Sequence, residues 1–213
     1  MKAIDLCVKP RSIEDFKGIA ETAIRLGYKA LVIETDDPSK FREAGKEMGI
    51  KVLARTTIRP HSKTDLLRAL QTIKGYDVIA VESKSAEVIR HAARDSRVDV
   101  IVLAPTMSRY MDRSEARLLR QGGGLIEFWL SRLLTTSGPR PWRRLRSLMI
   151  IARRALAYQA SLAVSSCARS LWELWHPRSI VSLLVTLGIP EVHAKTIVYV
   201  NPLKLVSSKG ISL

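Results

Sequence analysis

Cysteine is almost absent from this chain of 213 residues, which has only Cys7 and Cys167. That scarcity excludes a disulfide framework and a Cys-x-x-Cys metal knuckle, and the two thiols read as small buried hydrophobes. Histidine is scarce and scattered: His61, His91, His176 and His193 form neither His-x-His nor His-x-x-x-His, so a zinc hydrolase lacks its ligand spacing. The turn after the first apolar run reads Val8-Lys9-Pro10-Arg11-Ser12, without the glycines of a dinucleotide fold. Gly122-Gly123-Gly124 precedes a strand instead of joining strand to helix, so it is a turn and not a phosphate cradle. Ser165-Ser166-Cys167 lacks a Gly-x-Ser-x-Gly elbow and an activating histidine, and the serines are expected to cap the following helix. The longest apolar stretch, Leu148 to Ala168, is broken by Arg153 and Arg154, short of the roughly 20 residues of a membrane span. The start, MKAIDLCVKP, carries Asp5 within too brief an apolar run for a secretory leader. These readings give a soluble protein expected in the cytoplasm.

Acid is the other shortage, and it is local. From residue 107 onward, five Asp and Glu face sixteen Lys and Arg, thirteen of them arginine, whereas residues 1 to 106 carry fifteen against nineteen. About +11 of the formal +15 therefore sits in the second half. Such asymmetry points to a polyanion, RNA or DNA first. Arginine sharpens the reading, because its planar guanidinium meets phosphate bidentately and stacks on bases.

What is present is a regular alternation. Apolar runs at Ala3 to Val8, Ala30 to Glu34, Lys51 to Arg55, Asp77 to Glu82, Asp99 to Leu103, Leu125 to Phe128 and Leu162 to Ser165 lack polar alternation, as in strands covered on both faces. Amphipathic segments separate them. Ser12 to Leu26 has an apolar stripe, a capping-box start at Ser12 and Asp15, and a stop at Gly27. Further helices open at Asp37-Pro38, Ser62 and Ser85. Repeated βα units predict an α/β fold: a single TIM-like (βα) barrel over residues 1–213, of seven parallel strands with an extra C-terminal helix. An open doubly wound sheet is the competitor. Cys7 and Cys167 follow the first and last strands, so barrel closure would bring them within reach of a disulfide.

In a parallel barrel, function collects where strands end. Asp5, Glu34, Arg55, Arg59, Glu82, Lys84, Glu127, Ser165 and Ser166 occupy such positions. Asp5, Glu34 and Glu82 could hold Mg²⁺, but no histidine joins them, and Arg55 and Lys84 are the expected neutralising partners. The reading is therefore no metal site and no catalytic residue. One insertion, Leu134 to Arg146, sets Arg140, Arg143, Arg144 and Arg146 around Trp142, which either stacks outward beside phosphate-binding arginines or packs down beneath solvated ones.

Several pieces in order along nearly the whole chain carry a resemblance: Ile4-Asp5-Leu6, Ala104-Pro105, the helix with Arg153-Arg154, Val164-Ser165-Ser166-Cys167-Ala168, Trp172 to Pro177, Leu187-Gly188 and Asn201-Pro202. The chain resembles the ribonuclease P protein component 3 family, the archaeal counterpart of the eukaryotic thirty-kilodalton subunit. The family pattern departs at Cys167, where glycine is frequent. The resemblance implies a seven-stranded barrel related to the polymerase and histidinol phosphatase phosphoesterases, whose His-x-His is here Asp5-Leu6-Cys7. It implies a non-catalytic subunit of an endoribonuclease. The ribonuclease P RNA, using Mg²⁺, removes the 5′ leader of precursor tRNA, and this chain stabilises that RNA without a cofactor of its own. It further implies a small RRM-like partner subunit, two copies of each forming a heterotetramer, beside other ribonuclease P proteins. The alternative is a metal-dependent phosphoesterase that kept the barrel.

The same resemblance gives the arginines a purpose, since an RNA-folding subunit neutralises phosphates without reading sequence. The expected RNA contacts are Arg55, Arg59, Lys84, Arg109, Arg113, Arg140, Arg143, Arg144, Arg169 and Arg178. If one barrel uses both halves, residues 107 to 213 form a flank facing RNA, and the near-neutral first half is the place for protein partners.

Overall fold

Runs of Val, Ile, Leu and Ala without polar alternation make strands that must be covered on both faces, and all seven are paired in parallel. The computed structural model describes residues 1–134 and 140–211, apart from the side chains of Arg109 and Tyr110. Among these residues the strands are β1 (Ala3–Val8), β2 (Tyr28–Glu34), β3 (Lys51–Ile58), β4 (Val78–Glu82), β5 (Val100–Val102), β6 (Leu125–Trp129) and β7 (Leu162–Ser165), lying side by side in chain order. The described helices are α1 (Ile13–Arg25), α2 (Pro38–Met48), α3 (Lys63–Thr72), α4 (Ala86–Arg94), α5 (Arg113–Gly122), α6 (Ser131–Leu134), α7 (Pro141–Ala157), α8 (Pro177–Thr186), α9 (Glu191–Lys195) and α10 (Asn201–Ser208). No described helix is long and apolar enough to cross a membrane.

The sheet comes close to closing on itself. Val8 bridges Ala168 in parallel, Lys9 N donates to the Ala168 carbonyl at 2.7 Å, and Ser166 N reaches both carboxylate oxygens of Asp5 at 3.2 Å. The barrel wins over the open sheet, because the ends of the first and last strands are bridged to each other and not left apart at opposite edges. Strands from both halves of the sequence build it, so the basic half is one side of the body.

Local signals set the element ends. Ser12 Oγ accepts from Asp15 N at 3.1 Å, a reciprocal capping box joins Ser62 and Asp65, and Gly27 and Gly49 stop α1 and α2 at φ of +85° and +75°. Asp77 and Asp99 lie one residue before β4 and β5 and tie the preceding strands, accepting from Ala54 N and Ile79 N at 2.7 and 2.9 Å. The barrel interior holds small and branched apolar side chains such as Ala30, Val32, Ala80, Val100 and Ala163. Leu205 and Val206 of α10 join that interior cluster, and Lys209 beyond α10 pairs with Asp99 at 2.5 Å. The C-terminal helix thus plugs the end where strands begin, leaving the opposite end for chemistry.

Candidate nucleic-acid interface

Parallel strands place every strand end on one face, and the helices that follow β1 to β4 start there, whereas α8 starts at the opposite end, where Tyr28 Oη donates to the Trp175 carbonyl at 2.8 Å. The helix N-termini at the strand ends lend that mouth partial positive charge. Beneath it lies a buried ion pair. Arg55, from β3, donates Nη1 and Nη2 to the two carboxylate oxygens of Glu127, from β6, at 3.0 and 2.6 Å, and both side chains are fully buried. Arg55 also donates to the Leu6 carbonyl at 2.5 Å and to Thr57 Oγ1 at 3.2 Å. Glu127 accepts further bonds from Ser165 Oγ and from Trp129 Nε1, the latter at 2.8 Å. Burial pushes the Glu127 carboxyl up, but Arg55 and the hydroxyl and indole donors outweigh it and hold the group below its ordinary value.

Above this pair, cations and carboxylates alternate. Lys9 Nζ bonds Glu34 at 2.7 Å, and Thr57 Oγ1 donates to the other oxygen of Glu34 at 2.6 Å. Arg59 bonds Glu82 at 3.0 Å, and Arg132 bonds the second oxygen of Glu82 and, at 3.0 Å, the Leu103 carbonyl. Cations gather on Trp129, with Lys9 Nζ 4.1 Å, the Arg132 guanidinium 4.6 Å and the Arg55 guanidinium 5.7 Å from its ring centre. A cavity of about 290 Å³ opens here, lined among others by Lys9, Arg59, Trp129, Arg132, Arg169 and Glu173.

The carboxylates that might have held a metal are therefore committed elsewhere. Asp5 accepts from the backbone N–H groups of Cys7 and Ser166, and burial, against those bonds, pushes it up to about 6. Glu34 and Glu82 are held by Lys9, Arg59 and Arg132. Among the described residues no group of three or more His, Cys, Asp or Glu side chains could hold a metal ion. The neutralising partners match those expected in part: Arg55 pairs with Glu34 at 4.0 Å, but its main partner is Glu127, and Arg59 and Arg132, not Lys84, serve Glu82. The serines differ too. Ser165 donates to Glu127, and Ser166 Oγ accepts from Ala168 N at 3.1 Å, so they brace the barrel seam and cap no helix.

The expected RNA contacts separate by burial. Arg55 is corrected outright: with no exposed surface and its donors spent inside the barrel, it reaches no phosphate. Arg144 is corrected likewise, being 3% exposed and donating to the Arg132 carbonyl at 2.8 Å. Arg59, Lys84 and Arg169 lie exposed around the mouth, Arg113 at the start of α5, and Arg140 and Arg143 at the start of α7, whereas Arg178, at the start of α8, lies exposed at the opposite end beside Met1 and Ala3, away from the mouth. The Arg109 side chain and residues 135–139 of the arginine-rich insertion lie outside the described residues. Trp142 is 53% exposed with the Arg143 guanidinium 5.2 Å from its ring, so it does not pack down. The three residues that sequence reasoning missed are Lys9, Trp129 and Arg132. Each lies at or within three residues of a strand end, the one signal that could have found them.

A second basic surface follows the outer ring. Arg90 and Arg94 of α4, Arg113, Arg117 and Arg120 of α5, and Arg143, Arg146 and Arg153 of α7 are exposed on helices that succeed one another around the barrel. Arg120 donates to the Tyr158 carbonyl at the end of α7, tying two of them together.

A family model for RNase P subunit p30 matches residues 2–211. The chain belongs to the RNase P subunit p30 family. It is similar to ribonuclease P protein component 3 of Aeropyrum pernix, 32% identical over 197 residues, covering 91% of this chain and 92% of that one. The component 3 protein of Methanosarcina barkeri is 30% identical over 219 residues, covering 97% and 89%. A chain in a cryo-EM structure of archaeal ribonuclease P with mature tRNA shares the fold with a TM-score of 0.81 at 20% identity, covering 97% of this chain and 90% of that one.

Proposed function

We propose that this chain is a non-catalytic protein subunit of ribonuclease P, binding and stabilising the RNA that removes the 5′ leader from precursor tRNA. The observation that carries the reading is the mouth itself. Where a metallophosphoesterase presents open ligands, this member of the p30 family presents carboxylates already neutralised by Lys9, Arg59 and Arg132. What remains for a ligand is cationic surface, which suits a phosphate backbone and reads no sequence.

The basic flank of α4, α5 and α7 extends that surface around the body. We place the RNA against the mouth and flank, and protein partners, including the small RRM-like subunit in a heterotetramer with two copies of each, against the rest of the near-neutral first half, on the side of α1 to α3. The site of action is the cytoplasm.

Reconstitution tests this. Catalytic RNA and partner subunit are assayed for precursor tRNA cleavage across Mg²⁺ concentrations, with and without this chain. A lowered Mg²⁺ requirement is expected, and an unchanged one refutes the role. Stoichiometric Zn²⁺ or Mn²⁺ on the isolated protein, with phosphoester hydrolysis lost in Asp5→Ala, would support the phosphoesterase instead.

A further inference from the structure

Beside the cationic cavity at the mouth lies a second hollow of about 230 Å³, lined by Arg59, Pro60, His61, Ser83, Lys84 and Ala104 with Glu82 at its edge. It is formed by the exit loops of β3, β4 and β5. Those loops are fixed before any ligand arrives. Ser83 Oγ donates to the Pro60 carbonyl at 2.9 Å, pinning the β3 loop to the β4 loop, and itself accepts from Ser85 N at 3.2 Å. The capped starts of α3 at Ser62 and α4 at Ser85 stand at its rim.

The chemistry of the lining is divided. Ala104 gives half-buried apolar surface beside the buried Pro60 and His61 an exposed ring, whereas Lys84 and Arg59, the latter paired with Glu82, give two cations at the edge. The volume is below the roughly 300 to 1,000 Å³ of a drug-sized site, closer to the scale of a single base. Arg59 lines both this hollow and the cationic cavity, so the two lie side by side.

We propose that this hollow receives one unpaired nucleotide of an RNA strand, with its base against His61 and Ala104 and its phosphate between Arg59 and Lys84. The inference rests on the RNA-binding reading above and adds to it a preference for single-stranded RNA. Helical RNA keeps its base faces stacked and offers only backbone and groove, whereas a splayed base can stack on an imidazole ring and be held by its phosphate. The subunit then grips an unpaired site as well as neutralising phosphates.

The test uses the full chain and two fluorescently labelled RNAs of equal length, one a single strand without internal pairing and one a blunt duplex, titrated by anisotropy at several salt concentrations. Loss of one stacked base is worth about 1 to 3 kcal/mol, so His61→Ala should weaken single-strand binding by roughly 5-fold or more, and duplex binding by less than about 2-fold. The salt slope should stay unchanged, while His61→Phe restores affinity. Lys84→Gln should lower the salt slope by about 1. Wild-type protein that binds neither RNA overturns the RNA-binding reading. Wild-type binding with His61→Ala unaltered, or weakened equally for both RNAs, overturns the nucleotide pocket alone.

Discussion

Arg55 and Glu127 stand on β3 and β6, far apart in the sheet order, and meet across the barrel interior through two parallel hydrogen bonds at 3.0 and 2.6 Å with no exposed surface on either side chain. The pair is satisfied further by Leu6, Thr57, Ser165 and Trp129, so removing one partner strands a charge in a dry site. Arg55→Met or Glu127→Leu should each cost about 3 to 5 kcal/mol in urea unfolding, and the double variant much less than the sum. Single losses under about 1 kcal/mol would show that the pair carries no such weight.

Asp5 should make stability fall as pH rises. Burial raises its carboxyl to about 6 from 3.8, so between those values the folded chain binds the proton more tightly than the unfolded one. The contribution is complete below about 4 and lost through pH 6, on the order of 3 kcal/mol. Glu115, pushed up to about 7 by burial and then by Asp112, has the same sign and extends the window upward. Asp5→Asn keeps an acceptor for Cys7 N and Ser166 N without the buried charge. Melting temperatures across pH 4 to 8 should show a flatter profile in that variant, and a profile parallel to wild type would remove Asp5 as the cause.

Gly45 lies on α2 where the helix presses on β3. Helix propensity alone makes Gly45→Ala stabilising by about 1 kcal/mol. A Cβ there would stand 2.3 Å from Val52 Cγ2 and 2.9 Å from the Ile50 carbonyl oxygen. Overpacking against backbone should win, with a net loss of about 1 to 3 kcal/mol by chemical denaturation. A gain in stability would contradict the close approach.

Three neighbouring arginines of α7 should behave differently. Arg143 and Arg146 are exposed on α7, so replacing either with Gln should lower the slope of log affinity for ribonuclease P RNA against log salt by about 1, with stability nearly unchanged. Arg144 is buried and bonded to the Arg132 carbonyl, so Arg144→Gln should leave the slope alone and lower the melting temperature. Equal slopes for all three variants would dissolve the distinction.

Cys7 and Cys167 illustrate what barrel closure decides. Both are free, buried thiols on the closing seam, and burial, reinforced by the neighbouring Cys167 thiol, pushes Cys7 up. Cys167 adopts φ of +50°, a left-handed conformation that costs a side chain and favours glycine.

By itself, the sequence determined the order of elements. Apolar runs without alternation and caps such as Ser12, Ser62 and Gly49 are local properties, and β1 and β7 fall where those properties place them. It also determined the basic half, because charge is counted and needs no geometry. Which cation meets which acid was decided only by the tertiary structure. Arg55 and Arg59 stand four residues apart and share one face of the chain, yet barrel closure buries the mid-strand Arg55 against Glu127 and leaves Arg59, one residue beyond β3, on the rim beside Glu82. The same closure brought Lys9, Trp129 and Arg132 together from remote segments, an adjacency that no periodicity encodes.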